Sequence, residues 1–226
     1  DRATSAGPDA QRVSESAPVD PFARYRAHLT DYQNERYATR FQSVVDAAIA
    51  AERRLAPGET KLAEAVARSF FRLMAYKDEY EVARLYASSE FRRQISAAFE
   101  GQPRLAFNLA PPGLSRTDQR TGRPAKREFG AWVLPVFGVL SRLRVLRGSW
   151  LDPFGHSAER RMERGLIEQY ERDLLALLET ATTTQWAWLV EFAAAAQQVR
   201  GFGPVKQASV RAYAQTREAL LARRPA

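Results

Sequence analysis

The sequence predicts a mainly α-helical fold with one small antiparallel β-hairpin, an α+β class in which several helices pack orthogonally or as a bundle. Three observations carry this. Apolar residues recur at three- and four-residue steps through most of the chain, the spacing that lines one face of an α-helix. Glycine, proline and capping side chains interrupt that pattern at intervals. One stretch departs from it: the runs Leu105–Leu109 and Phe129–Trp132 alternate instead, on either side of an Arg-rich connection carrying Thr121-Gly122-Arg123-Pro124. That is the pattern of two short paired strands.

Residues 1–20 are Ser, Ala, Pro and Asp with little to bury, and read as a linker or disordered lead-in; residues 21–226 read as a single mainly helical domain. A start at Asp1 rather than Met suggests a piece of a longer chain. From Pro21 the pattern is helical, with Tyr37, Phe41, Val44, Val45, Ala48 and Leu55 on one stripe, and Pro57-Gly58 ends it. Thr60 is placed to cap the next helix, predicted to run over 61–86 with Leu62, Val66, Phe70, Leu73, Tyr76 and Tyr80 inward. This aromatic-rich stripe marks it as the central helix. Ser88-Ser89 opens a shorter helix that Gly101-Gln102-Pro103 breaks.

Pro111-Pro112-Gly113 stops the first strand, because proline cannot donate to a ladder. After the second strand, Val133–Leu146 is predicted helical, with a distortion at Pro135 if that residue falls beyond the first turn. Gly148 ends it, Asp152-Pro153-Phe154-Gly155 turns the chain, and Ser157 caps the long helix that buries Met162, Leu166, Ile167, Tyr170, Leu174 and Leu177. Thr182–Val199 is a further helix, apolar on more than one side. Gly201-Phe202-Gly203-Pro204 then supplies a glycine stop and a proline start before the last helix through Val210, Tyr213 and Leu220.

The net charge of +8 and pI near 10.1 favour an acidic partner: nucleic acid, an acidic protein or a phosphorylated group. The plainer reading is an arginine-decorated set of helices, since acids are interleaved along them. The chain has no cysteine, which excludes disulfides, a cysteine nucleophile and cysteine-held iron–sulfur clusters within it, and suits a reducing cytoplasm. No apolar run is long enough to span a bilayer.

Side chains with potential chemistry are sparse. His28 and His156 are the only histidines, neither has a partner at metal-ligand spacing, and capping or surface roles fit both better than catalysis. Asp78, Glu79 and Glu81 with Arg84 read as a salt-bridged helix face rather than an acid–base cluster. The densest basic run is Arg116, Arg120, Arg123, Lys126 and Arg127, which suits clamping phosphate or docking an acidic protein. Arg142, Arg144 and Arg147, then Arg160, Arg161 and Arg164, extend it into one positive surface if their helices pack side by side. No phosphate-cradling glycine motif is present. The tryptophans lie in apolar runs and read as core rather than as base-stacking platforms.

Several segments together carry a family resemblance: Asp31-Tyr32-Gln33 with Tyr37-Ala38, Leu62–Arg68, Leu73–Leu85 (LMAYKDEYEVARL), Phe107–Pro112, Phe129–Trp132, Glu159–Arg164 and Arg200–Lys206. From about Tyr25 to about Arg223 the chain resembles the C-terminal domain of the large, fused bacterial indolepyruvate ferredoxin oxidoreductases. The resemblance implies a cytoplasmic parent enzyme that oxidatively decarboxylates aryl-2-oxoacids to acyl-CoA with thiamine diphosphate and iron–sulfur clusters, passing electrons to ferredoxin. The cysteines for the clusters and a GDG-type thiamine diphosphate segment are missing from this chain, so no catalytic or cofactor residue of the family transfers onto it. What the resemblance implies for the chain itself is a non-catalytic structural or docking role towards the catalytic modules, with an acidic ferredoxin as a further partner. The alternative is an independent basic module for nucleic acid or another polyanion, which rests on charge alone.

Overall fold

The computed structural model describes residues 20–99, 104–109 and 127–226. Residues 1–19 and the greater part of the basic loop, with Arg116, Arg120, Arg123 and Lys126, lie outside the described residues. Among those described there are nine α-helices and one two-stranded antiparallel sheet. In chain order these are α1 (Ala23–Tyr32), α2 (Glu35–Leu55), α3 (Lys61–Met74), α4 (Glu79–Ala87), α5 (Ser89–Ala98), β1 (Ala106–Leu109), β2 (Arg127–Gly130), α6 (Leu134–Arg142), α7 (Ala158–Thr180), α8 (Trp186–Ala195) and α9 (Pro204–Ala222). The two strands pair with Phe107 opposite Phe129 and Ala106 opposite Gly130, so the sequence-predicted hairpin is present.

α3 is the centre of the main core, as its stripe predicts. α2 and α8 flank it, and α7 packs behind it. Phe70 stacks between Phe41 of α2 and Tyr170 of α7, with ring centroids 6.2 and 5.9 Å apart. Such offset pairs add to the area that the rings bury. A second, smaller cluster lies under the hairpin, where Ala83, Phe107, Val133 and Phe137 are enclosed by Tyr86, Phe91 and Phe129. α4 lies along α6 and forms the floor of that cluster.

Helix ends are held by side chains from other elements as well as by local caps. Thr60 stands at the N-cap of α3 without capping it. The work falls to Glu52, whose carboxylate accepts from Leu62 N at 2.7 Å and Ala63 N at 2.9 Å. A buried carboxylate on the positive end of a helix satisfies two orphan donors and the dipole together. Two residues on, Arg54 donates to the carbonyls of Leu178 and Ala181 at 2.8 and 2.9 Å, closing the C-terminal end of α7. The last turn of α2 thus fixes the start of one neighbour and the end of another. Ser88 and Ser157 cap α5 and α7 as predicted.

The structure departs from the predicted 61–86 helix. It is broken at Ala75–Asp78 into α3 and α4, because Asp78 turns away from the helical path and accepts from Glu81 N at 2.8 Å as the N-cap of a new helix. A second break separates α1 from α2, with Asn34 accepting from Tyr37 N. Pro135 falls in the first turn of α6 and causes no distortion there; the predicted 133–146 helix instead starts from a 3-10 turn at Ala131–Val133 and tightens to another at Leu143–Leu146.

Phe70 has no exposed surface. Phe70→Ala should destabilise the chain by about 3–5 kcal/mol through lost transfer energy plus the cavity left behind, measured by urea unfolding.

Candidate functional site

The segment that most strongly carries the resemblance, Leu73–Leu85, folds onto the turn that follows α6. At its centre is Arg147, 5% exposed, facing Asp78, 4% exposed. Arg147 Nε donates to Asp78 Oδ2 at 2.6 Å and Nη2 to Oδ1 at 2.9 Å, while Nη1 donates to the carbonyl of Tyr32. The guanidinium plane lies 3.6 Å from the centroid of the Tyr32 ring and 5.4 Å from that of Tyr80. Burial is the largest single influence and lowers the Arg147 pKa, but the hydrogen bonds to Asp78 and the surrounding charge interactions together outweigh it and hold the group above its ordinary value.

Around this pair the tyrosines are tied down individually. Tyr32 Oη donates to the carbonyl of Tyr76 at 2.7 Å, and Tyr80 Oη donates to Asp152 Oδ1 at 3.0 Å. Asp152 also accepts from Gly148 N and Phe154 N, which closes the turn between α6 and α7. Gly148 makes that turn at φ +75°, where a side chain would be strained. Glu81 takes both donors of Arg84 at 2.8 Å. Glu163, buried on α7, is held by Arg160 and Lys206, and Arg160 reaches Glu79 at 3.4 Å. Burial raises the Glu79 pKa, with Arg160 opposing it.

The sequence expects a salt-bridged face for Asp78, Glu79, Glu81 and Arg84, and finds it, but with its main cation supplied from sixty-nine residues away. These charges are turned into the fold and leave no acid–base constellation. His28 is half-buried, edge-on to Phe71 with centroids 5.2 Å apart, and burial holds its imidazole below the ordinary value. His156 is exposed, with a ring nitrogen 3.3 Å from the Trp150 carbonyl. No group of three or more His, Cys, Asp or Glu able to hold a metal occurs among the described residues. With no cysteine in the chain, this donor set does not fit an iron–sulfur cluster.

The structure does not bring the described basic residues together as a single row. Arg127, Arg142 and Arg161 are exposed, Arg161 donating to the His156 carbonyl. Arg144 and Arg164 are half-buried and donate to the carbonyls of Ser141 and Gly155. Arg160 is committed to its two glutamates, and Arg147 is internal. No helix among the described residues is long and apolar enough to cross a membrane.

What sequence reasoning missed is an apolar face. Trp188 is in the core, but Trp132 is 66% exposed and Trp150 82% exposed, contrary to the expectation that the tryptophans are buried. Trp132, Val136, Val139 and Leu143 succeed one another at steps of four, three and four and all point outward from α6 and its flanking turns. Val145 and Leu151 are exposed further along. Seven of the twelve exposed large apolar side chains among the described residues therefore fall within 132–151, a concentration that scattered surface residues do not produce. The signal for it in the sequence is that α6, LPVFGVLSR, is apolar on both sides while having one small cluster to cover.

The chain belongs to the family of unknown function DUF6537, whose model matches residues 19–219. No curated protein and no solved structure matches it.

Two outcomes follow from the buried network. Arg147→Met should cost about 3–5 kcal/mol, because it strands the Asp78 carboxylate, and Asp78→Asn with Arg147→Met should recover part of this by removing the charge while keeping an N-cap. Urea unfolding of the two variants checks this. Tyr32, Tyr37, Tyr76, Tyr80, Tyr170 and Tyr213 are all pushed up by burial, Tyr76 and Tyr213 to about 12, from an ordinary 10.0. The unfolded chain then releases phenolic protons that the folded one keeps. Their stabilising contribution should be whole below about pH 10 and be lost as pH rises through 12, seen as a falling melting temperature over that range.

Proposed function

We propose that this chain is a non-catalytic docking domain of a thiamine diphosphate- and iron–sulfur-dependent oxidoreductase that converts indolepyruvate or another aryl-2-oxoacid to the acyl-CoA. The catalytic modules of that enzyme would hold the cofactors and occupy the outward face of α6. The observation that carries the reading is the stripe Trp132, Val136, Val139 and Leu143, exposed on a domain whose buried charges are paired within itself. The resemblance centred on LMAYKDEYEVARL supports it, since the matching residues build the scaffold that positions α6.

The rim narrows the occupant. Arg127 and Arg142 stand exposed beside the stripe on the same stretch of chain. Two copies meeting through this face would oppose arginine to arginine, whereas an apolar surface with an acidic rim would complement it. Such a basic rim also suits steering an acidic ferredoxin, with a benefit that fades as salt rises. A cytoplasmic setting follows from the same reading.

Trp132→Asp with Val139→Asp should abolish capture of the 226-residue chain by the parent enzyme lacking this domain, in a pull-down of purified components. The melting temperature of the chain should stay within about 2 °C of wild type, because exposed positions contribute little to its own stability. Undiminished capture would show that this face is not the contact, and a matching collapse of melting temperature would show that it belongs to the core.

A further inference from the structure

We propose that a cavity at the start of α9 binds a small phosphate ester carrying an aromatic ring. The cavity, of about 250 Å³, is bounded by the end of α3, by Glu163 and Leu166 of α7, and by the turn from Val199 to Lys206. That volume, just below the usual range of drug-sized ligand sites, suits a single ring with one charged substituent.

Its walls divide into two chemistries. Leu73, Leu166 and Val199 are apolar, Tyr76 adds an aromatic side chain, and Phe202, 61% exposed, stands at the turn as a stacking surface. Arg72, Lys77 and Arg200 also line it, and among the described residues none of the three has a carboxylate within salt-bridge distance. Arg72 spends one donor on the Gln197 carbonyl at 3.2 Å. Glu163 is the one acid in the lining, and its charge is already met by Lys206 and Arg160, so it does not repel an incoming anion. Three uncompensated cations at one concavity match the double charge and several acceptor oxygens of a phosphate ester better than a single carboxylate.

The backbone around the turn supports the same assignment. Gly201 at φ +89° and Gly203 at φ +52° fold the chain back against the helix, and a Cβ at Gly201 would lie 2.6 Å from Val205 Cγ1. α9 has no side-chain cap at its N-terminus, and Lys206 in its first turn lines the cavity. None of the lining residues belongs to the 127–151 stretch, so this site stands or falls independently of the docking face.

Calorimetric titration of the 226-residue chain with phenyl phosphate, and with phenol and inorganic phosphate separately, tests the proposal. Saturable one-to-one binding of phenyl phosphate, tighter than either half, is expected. Lys77→Glu with Arg200→Glu should weaken it at least about ten-fold, since charge-assisted contacts are lost and repulsion is introduced. Arg211→Glu, an exposed charge reversal on α9 outside the lining, should leave it unchanged. Phe202→Ala should weaken phenyl phosphate and leave inorganic phosphate alone. Absence of saturation with phenyl phosphate up to about 10 mM, ten-fold weaker than a millimolar site, would overturn the proposal. Equal weakening by Arg211→Glu would overturn it too, as a net-charge effect.

Discussion

Much of this structure depends on one buried cation. Arg147 sits where α1, α4 and the turn after α6 meet, and taking it and Asp78 out of water costs several kcal/mol per ion. The cost is offset because three of its N–H groups are placed, two on Asp78 and one on the Tyr32 carbonyl, with Cζ 3.6 Å from the centre of the Tyr32 ring. A lysine offers neither the fork nor the plane. Asp78 is itself shared, with Oδ1 accepting from Glu81 N as well as from the arginine. The start of α4, the end of α1 and the exit from α6 are therefore fixed by a single arrangement, and a shift in any of them leaves a charge unpaired. This is how the small cluster under the hairpin is held in register with the main core: Tyr80, buried but belonging to neither cluster, packs edge-on to Phe154 and hydrogen-bonds to Asp152 at the same junction.

The same interaction explains which parts of the fold could be read in the sequence. Ser88, Ser157 and the Gly201–Pro204 turn were legible because each helix boundary there is set by its own local chemistry. The break between α3 and α4 was not, since Leu73, Tyr76 and Tyr80 keep helical spacing straight through it. A local sign existed: Asp78 followed three residues later by Glu81 is the pattern of a helix start. What gives that sign its force is Arg147, far along the chain, and periodicity carries no information about a partner at that distance. Glu52 teaches the same lesson at the start of α3, where the local candidate Thr60 yields to a carboxylate from the preceding helix.

Charge was the least legible quantity. Arg160, Arg161 and Arg164 look alike in sequence, yet Arg160 neutralises buried glutamates, Arg164 holds a turn carbonyl and Arg161 faces solvent. On α7, Arg160 and Arg164 share a face one turn apart and Arg161 lies one residue's step round from Arg160, so spacing alone does not separate them and burial sorts them by environment rather than by type. Counting cations thus overstates how many remain available to a partner. Among the described residues, Arg72, Lys77 and Arg200 around the cavity by α9 have no carboxylate within salt-bridge distance and did not stand out by density of basic residues, whereas Arg127 and Arg142 beside α6 belong to runs that did.

α6 is where sequence and structure remain in tension, and the tension has a physical meaning. A helix that is apolar all round is ordinarily covered all round. Here Leu134, Phe137 and Leu140 serve the small cluster, while Val136 and Val139 on the other side, with Trp132 before them and Leu143 after, face water. Each such side chain, between 39% and 66% exposed, forgoes part of the about 1.5–3 kcal/mol that full burial would release. The domain's own stability does not require the outward residues, so folding alone does not account for an apolar surface there. Polar substitutes would serve the isolated domain as well. On the docking role proposed above, covering the stripe in an assembly would account for both sides of the helix with one sequence: the inner face belongs to this domain's core, and the outer face would complete a core shared with a partner.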